Sequence, residues 1–316
     1  MWGAVNLGAD STLRALLALE RDTQAAMILY DIRIPRALMA AFVGALLAIC
    51  GAVTQGLFRN PLADPSLIGV TAGATTGAAL MIFFAGGVVS LQGLPGLSAV
   101  SLGAFLGGAI TVMLVYRLAT SATGTSVTTM LLAGVAITAL AGGLSGMLEY
   151  FSDNQMLRRI SLWRMGGLDG ASSLTVTVAA VATLLVVAIL PRYANALNAL
   201  LLGESEARHL GIAVQTVKLQ LILIVALGVG LSVALAGSIA FVGLVVPHIV
   251  RLMVGPDHRT LLPASAMGGA ILLLLADLVA RTSVAPVELP VGIVTALLGA
   301  PFFISLLRYR HSYGMQ

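Results

Sequence analysis

A single lysine, Lys218, stands among the 17 basic residues of this 316-residue chain, beside a single cysteine, Cys50. A phosphate-cradling Walker A loop needs a Gly-Lys-Ser/Thr run, so that backbone amides and one lysine can hold phosphates. The lysine sits in VKLQ, so the chain has no such loop. One cysteine excludes an intrachain disulfide and argues against a cysteine-based metal site; within its apolar run, Cys50 reads as packing. Charge is scarce too, at 9% of residues against about 25% in a soluble globular chain. The net charge of +4 comes from arginines scattered through loops rather than clustered, which excludes a nucleic-acid footprint.

What the chain has instead is apolar residues, 59% of the total, and 35 glycines. This is an integral membrane protein, built of helices, since lipid cannot satisfy open backbone groups. Small residues let such helices approach backbone to backbone. The pairs Gly73/Gly77, Gly103/Gly107 and Gly142/Gly146 are candidates for such contacts.

About 20 apolar residues cross a hydrocarbon core of roughly 30 Å. On that measure the uncharged runs give one span in 37–58, two in 65–116 with a turn at 86–96, one in 118–148 and one in 170–191. The run 219–250 is too long for one crossing and too short for two, so a break near Gly237 and a short second helix are expected. Spans in 260–281 and 289–307 bring the total to nine. The expected fold is an all-α polytopic transmembrane bundle over 37–308, with a periplasmic amino-terminal segment, 1–36, that has no span and a cytoplasmic tail, 309–316. Placing the polar joint FRNPLADP in the cytoplasm puts nine Arg and Lys inside and eight outside, or four outside without the long tail. The positive-inside rule favours that orientation.

Several polar stretches then stand out. In LLGESEARHLG two glycines bracket a segment with Glu204 and Arg208 at i,i+4, a helix-stabilising spacing, so a short cytoplasmic helix is expected. Arg33, Arg36 and Arg281 sit at predicted periplasmic helix ends, where arginines commonly snorkel. Asp277, one turn before Arg281, reads as its intrahelical partner. TSATGTSVTT opens a predicted helix, where hydroxyls can bond their own backbone. In FRNPLADP two prolines four apart force a tight, stiff connection. None of the four histidines is read as a ligand: His248 follows Pro247 near the end of the short helix, His258 lies in a charged loop, His209 in the GESEARHLG segment and His311 in the tail.

RIPR at Arg33–Arg36, then GALLAICGAVTQGLFRNPLADPSLIGVTAGA, MLLAGV, LWRMGGL, LLGESEARHLG, GSIAFVGLVVPHIVRLMVGPDHRTLLP, ADLVAR and ELPVGIVTALLGAPFF, in this order, resemble the FecCD family of permeases. These are the membrane subunits of type II ABC importers for iron–siderophores, haem and cobalamin, located in the bacterial inner membrane. The resemblance implies a homodimer with the path on its axis and ten helices per subunit. It also implies two separate ATPases that bind ATP and magnesium, a periplasmic substrate-binding protein, surrounding lipid, and no cofactor, metal or catalytic residue in this chain. The family's first helix would precede WGAVNLG, and a start assigned too late is the favoured account of nine spans rather than ten.

The resemblance also implies roles. Glu204, Ala207, Arg208 and Leu210 are expected to dock the ATPase; Arg33, Arg36 and Arg281 are expected to meet acidic residues of the binding protein, a task suited to a planar guanidinium. Asn60 and Leu62 map to the cytoplasmic constriction, and Val127 and Thr128 to a second part of that gate. A general likeness around LRRISLWRMGGL and GESEARHLG leans the cargo to haem, with siderophore and cobalamin as alternatives. The rival from another class is a stand-alone secondary transporter or channel, which would carry ionisable residues at mid-membrane; here Asp277 is nearly alone in the apolar runs. A purely structural scaffold would explain neither the docking loop nor the arginines.

Overall fold

Each apolar run that the sequence marks carries a helix among the described residues. The structure, a computed structural model, describes residues 24–85, 99–122, 124–284 and 286–312; the expected turn at 86–96 lies outside the described residues. Helix α1 (Gln24–Leu57) is followed by a single 3-10 turn (Pro65–Ile68), α2 (Val70–Ala85) and α3 (Ala99–Ala119). Then come a two-stranded hairpin, β1 (Thr120–Ser121) and β2 (Gly124–Thr125), and helix α4 (Val127–Phe151). Helices α5 (Asn154–Arg164), α6 (Ser173–Ile189), α7 (Ala194–Leu202) and α8 (Glu204–His209) lead to α9 (Val214–Ala236). The chain closes with α10 (Val242–Val254), α11 (His258–Thr282) and α12 (Val291–Ser312).

Among the described residues, six helices have the length and apolarity to cross a membrane, and three shorter apolar ones (Val70–Phe84, Val242–Val254, Val291–Ser305) fill the remaining predicted runs. A count of nine spans requires those three to cross as well. Two boundaries differ from expectation. The chain is already helical at Gln24, well before 37: Asp31, Arg33 and Arg36 interrupt the apolar run without interrupting the backbone ladder. The ladder widens over Ile28–Arg33, where the Ile34 amide donates to the Leu29 carbonyl. Pro35 lacks an N–H and its ring crowds the carbonyl four residues back, and a local π-type offset relieves that clash. Thr120–Ser121 pairs with Gly124–Thr125 in the hairpin rather than opening a helix; Ser126 caps α4, accepting from the Thr129 amide.

The break near Gly237 is where expected. Helix α9 ends at Ala236, Gly237 takes φ +67° and α10 begins at Val242. A Cβ at Gly237 would also strike the Trp163 carbonyl at the end of α5. The position therefore needs glycine for both space and conformation.

Helix α1 is the hub, packing against α6, α9, α10 and α11, while α2 and α3 pair closely and α9 bridges the two groups. Glycine makes the closest approaches possible. Gly73 and Gly77 of α2 face Gly107 and Gly103 of α3, and Gly44 of α1 faces Gly269 of α11, so tightly that an added methyl would overlap backbone. The pair Gly142/Gly146 does otherwise: a Cβ there meets nothing within 4 Å. It lies on α4, whose apolar window is 11% buried against 78% for α1. The spacing rule cannot distinguish a hub helix from an edge helix.

Candidate functional site

The polarity of FRNPLADP is accounted for by its own turns. Asn60 Oδ1 accepts from the Leu62 amide at 2.9 Å, and Asp64 Oδ1 accepts from the Ser66 amide at 2.8 Å. Such side chain to backbone bonds substitute for the missing helix ladder. Arg59 takes φ +51° and Gly69 φ +79° at the two ends of the joint. Asn60 is exposed and Leu62 half-buried. The joint reaches α4 through the Leu67 carbonyl, which lies against Gly134. At the head of α4, Val127 is half-buried and Thr128 exposed.

The GESEARHLG segment is the expected short helix, α8, with Glu204 Oε2 and Arg208 Nη2 3.6 Å apart. The Leu210 residue and the Arg208 side chain stand 63% and 60% exposed, whereas Ala207 is fully buried. Ala207 therefore faces the body of the protein and anchors the helix; the outward face belongs to Arg208 and Leu210. Glu204 turns the other way, onto Lys218 of α9. The Lys218 ammonium, on a residue 2% exposed, also donates to the Thr125 carbonyl at 2.8 Å. Gln215 Oε1 accepts from the Thr125 amide at 2.9 Å. Both backbone groups of Thr125 are thus held by α9.

A second brace lies beneath α8. Asn198 of α7 accepts from the His258 amide at 3.0 Å, contacts His258 Nδ1 at 2.7 Å and donates to Asp257 Oδ1 at 2.6 Å. Hydrogen bonds from the Arg259 amide and the Asn198 side chain hold the Asp257 carboxyl below its ordinary range. His258, expected in an open loop, is 1% exposed at the first turn of α11, with its ring against Gly56. His248 is buried in α10 with its ring edge-on to Phe302.

At the end of the molecule where α1 and α11 carry their arginines, the charges pair internally. Arg36 Nε donates to Asp277 Oδ1 at 2.7 Å and Nη1 to Glu288 Oε2 at 2.5 Å. Arg281 Nε lies 3.0 Å from Asp277 Oδ2, the predicted intrahelical pair. Arg36 is 7% exposed, so its fork is already occupied by carboxylates of this chain. Arg33 and Arg281 are both half-buried. The sequence signal missed here is the acidic pair Asp277 and Glu288 bracketing Arg281; nothing local links it to Arg36, 241 residues from Asp277.

Comparison with known proteins bears on the whole chain. The model of the FecCD transport family matches residues 1–309. The hemin transport system permease protein HmuU of Yersinia pestis is 44% identical over 306 residues, covering 96% of this chain and 90% of that protein. The cobalamin import system permease protein BtuC of Halobacterium salinarum is 44% identical over 286 residues, covering 90% and 74%. A solved structure of a metal-chelate type ABC transporter in an inward-facing conformation is similar at TM-score 0.81 and 35% identity, covering 94% of this chain and 95% of that one.

Proposed function

The chain belongs to the FecCD transport family, and from that premise we propose that it is the haem-conducting permease of an ABC importer. Permease subunits of this family sit in the inner membrane and are not themselves enzymes. In the proposed assembly two copies enclose a path on their shared axis, two ATPases dock from the cytoplasm and a substrate-binding protein delivers cargo from the periplasm. Haem is chosen because the HmuU relative matches over 96% of this chain and 90% of its own, against 90% and 74% for the BtuC relative of Halobacterium salinarum; cobalamin is the second reading, supported by BtuC relatives at 44% and 43% identity. Uptake of haem against cobalamin by proteoliposomes holding the complete importer decides between them.

The observation that carries the reading is α8, a short helix with an outward Arg208 and Leu210 on a base fixed by Ala207 and Glu204. A rigid helix presenting an arginine and a large apolar side chain has the character of an interface anchor. Arg208→Glu with Leu210→Asp is expected to weaken the ATPase complex by about 2 kcal/mol or more, roughly thirty-fold. The measurement is co-purification of the ATPase with the tagged permease. Undiminished recovery from the double variant, at matched expression, removes α8 from the interface.

For the periplasmic side we place the binding-protein contact on Arg33 and Arg281, with Arg36 as the residue that fixes Asp277 and Glu288 beneath them. Exposed charges act over a Debye length of about 10 Å at 0.1 M salt. Arg33→Glu with Arg281→Glu is expected to weaken capture of the binding protein and to flatten its salt dependence. Affinity that tracks the unaltered protein across a salt titration refutes this placement.

A further inference from the structure

We propose that Lys218 is the positioning residue that links the ATPase-docking helix to the head of α4, so that displacement of α8 moves the segment carrying Val127 and Thr128. The inference rests on the reading of α8 given above. Lys218 is the only lysine of the chain, is 2% exposed, and lies in the second turn of a membrane-length helix. An ammonium in such a place must have partners, because an uncompensated buried charge is strongly destabilising. It has two, from different elements: the Glu204 carboxylate at the first residue of α8 and the Thr125 carbonyl at the end of the hairpin.

Thr125 immediately precedes Ser126, the residue that caps α4. Its position is fixed on both sides, since Gln215, three residues before Lys218 on the same helix, takes its amide. The hairpin is closed further by the Ser126 amide on the Ala119 carbonyl at 2.9 Å and by the Thr120 and Thr125 hydroxyls at 3.0 Å. With its short ladder so braced, the hairpin moves as one piece. If α8 is drawn outward by a docked partner, Glu204 leaves the ammonium or carries it along. Where the ammonium is carried along, its bond to Thr125 is lost and the start of α4 is released from its resting place; where Glu204 lets go, the buried charge keeps Thr125 and the head of α4 stays. Glu204 is half-exposed and can exchange Lys218 for water or Arg208, whereas the buried Lys218 has, among the described residues, only Glu204 and Thr125 to turn to. The lysine is therefore the stiff member of the relay.

The experiment uses cysteines introduced into the permease, whose native Cys50 is buried, assembled with a cysteine-free ATPase so that the background is silent. Ser205→Cys reports on α8 and Thr128→Cys on the head of α4; both positions are exposed. The rate of modification by a water-soluble maleimide is measured without nucleotide and with MgATP plus vanadate. Both sites are expected to change rate on trapping. In the Lys218→Met background Ser205→Cys is expected to keep its response while Thr128→Cys loses it, with the ATPase still co-purifying, and Lys218→Arg is expected to restore the response. A nucleotide response at Thr128→Cys that survives Lys218→Met overturns the relay and leaves the α8 assignment standing. Absence of any ATPase-dependent protection at Ser205→Cys in the otherwise native chain removes the α8 reading and the relay with it. Should Lys218→Met fail to assemble, Glu204→Gln decides: loss of the Thr128→Cys response supports the relay, and an unchanged response refutes it.

Discussion

Arg36→Ala is expected to lower the stability of the folded chain by about 3–5 kcal/mol, the cost of leaving a buried charge without its partner. The charge concerned is Asp277, 1% exposed, which then keeps only Arg281 at 3.0 Å. Glu288, with a side chain 41% exposed, can turn to water and loses little. The double variant Arg36→Met with Asp277→Leu removes both buried charges together, and such replacements are often neutral. It is expected to recover most of the loss, Arg281 remaining 15% exposed and able to reach water. Cys50, the only cysteine and fully buried, makes the measurement direct: a thiol-reactive dye reports unfolding on heating in detergent. A single variant that melts with the unaltered protein, or a double variant that melts below the single, contradicts the network as described.

Asn60→Ala with Leu62→Ala is expected to open a leak. Asn60 Oδ1 holds the Leu62 amide at 2.9 Å, so the first change loosens the turn that aims Leu62 and the second removes apolar bulk. Hydrophobic constrictions can gate by dewetting; on the proposal that two copies pinch the path shut at Asn60 and Leu62, widening that constriction should admit a small fluorescent dye into liposomes in the absence of nucleotide. Arg59→Ala is the control. Arg59 is exposed at φ +51°, a conformation no harder for alanine than for arginine, and its loss should leave the vesicles tight. Vesicles that stay sealed with the double variant, in protein that still transports, return the joint to the status of a rigid turn.

The helices were legible because each apolar run has membrane length and few charges; Gly237, Pro61 and Pro65 marked the interruptions by their own backbone chemistry. The short helix α8 was legible for the same local reasons, bracketing glycines and an i,i+4 pair. What could not be read is what depends on distant partners. Ala207 and Arg208 are neighbours in sequence, and only the packing of α8 on the bundle shows that one faces in and the other out. Arg36 looked like an interfacial arginine until Asp277 and Glu288 were brought to it. Lys218 did carry a signal, an ionisable residue near the start of an apolar span, but not the identity of its partners, Glu204 and Thr125. The hairpin at 120–125 was hidden because serines and threonines suit a helix start as well as a turn.

The bond between Arg36 and Asp277 also sets a timetable for biogenesis. The two residues are separated by 241 positions, and at about 5–20 residues per second of synthesis the carboxylate arrives roughly 10–50 s after the arginine. During that interval α1 is already made, and its guanidinium has only headgroups and water to satisfy it, which holds the amino-terminal turns of α1 at the membrane surface. The amino-terminal turns of α1 can therefore take their final place only once α11 delivers Asp277.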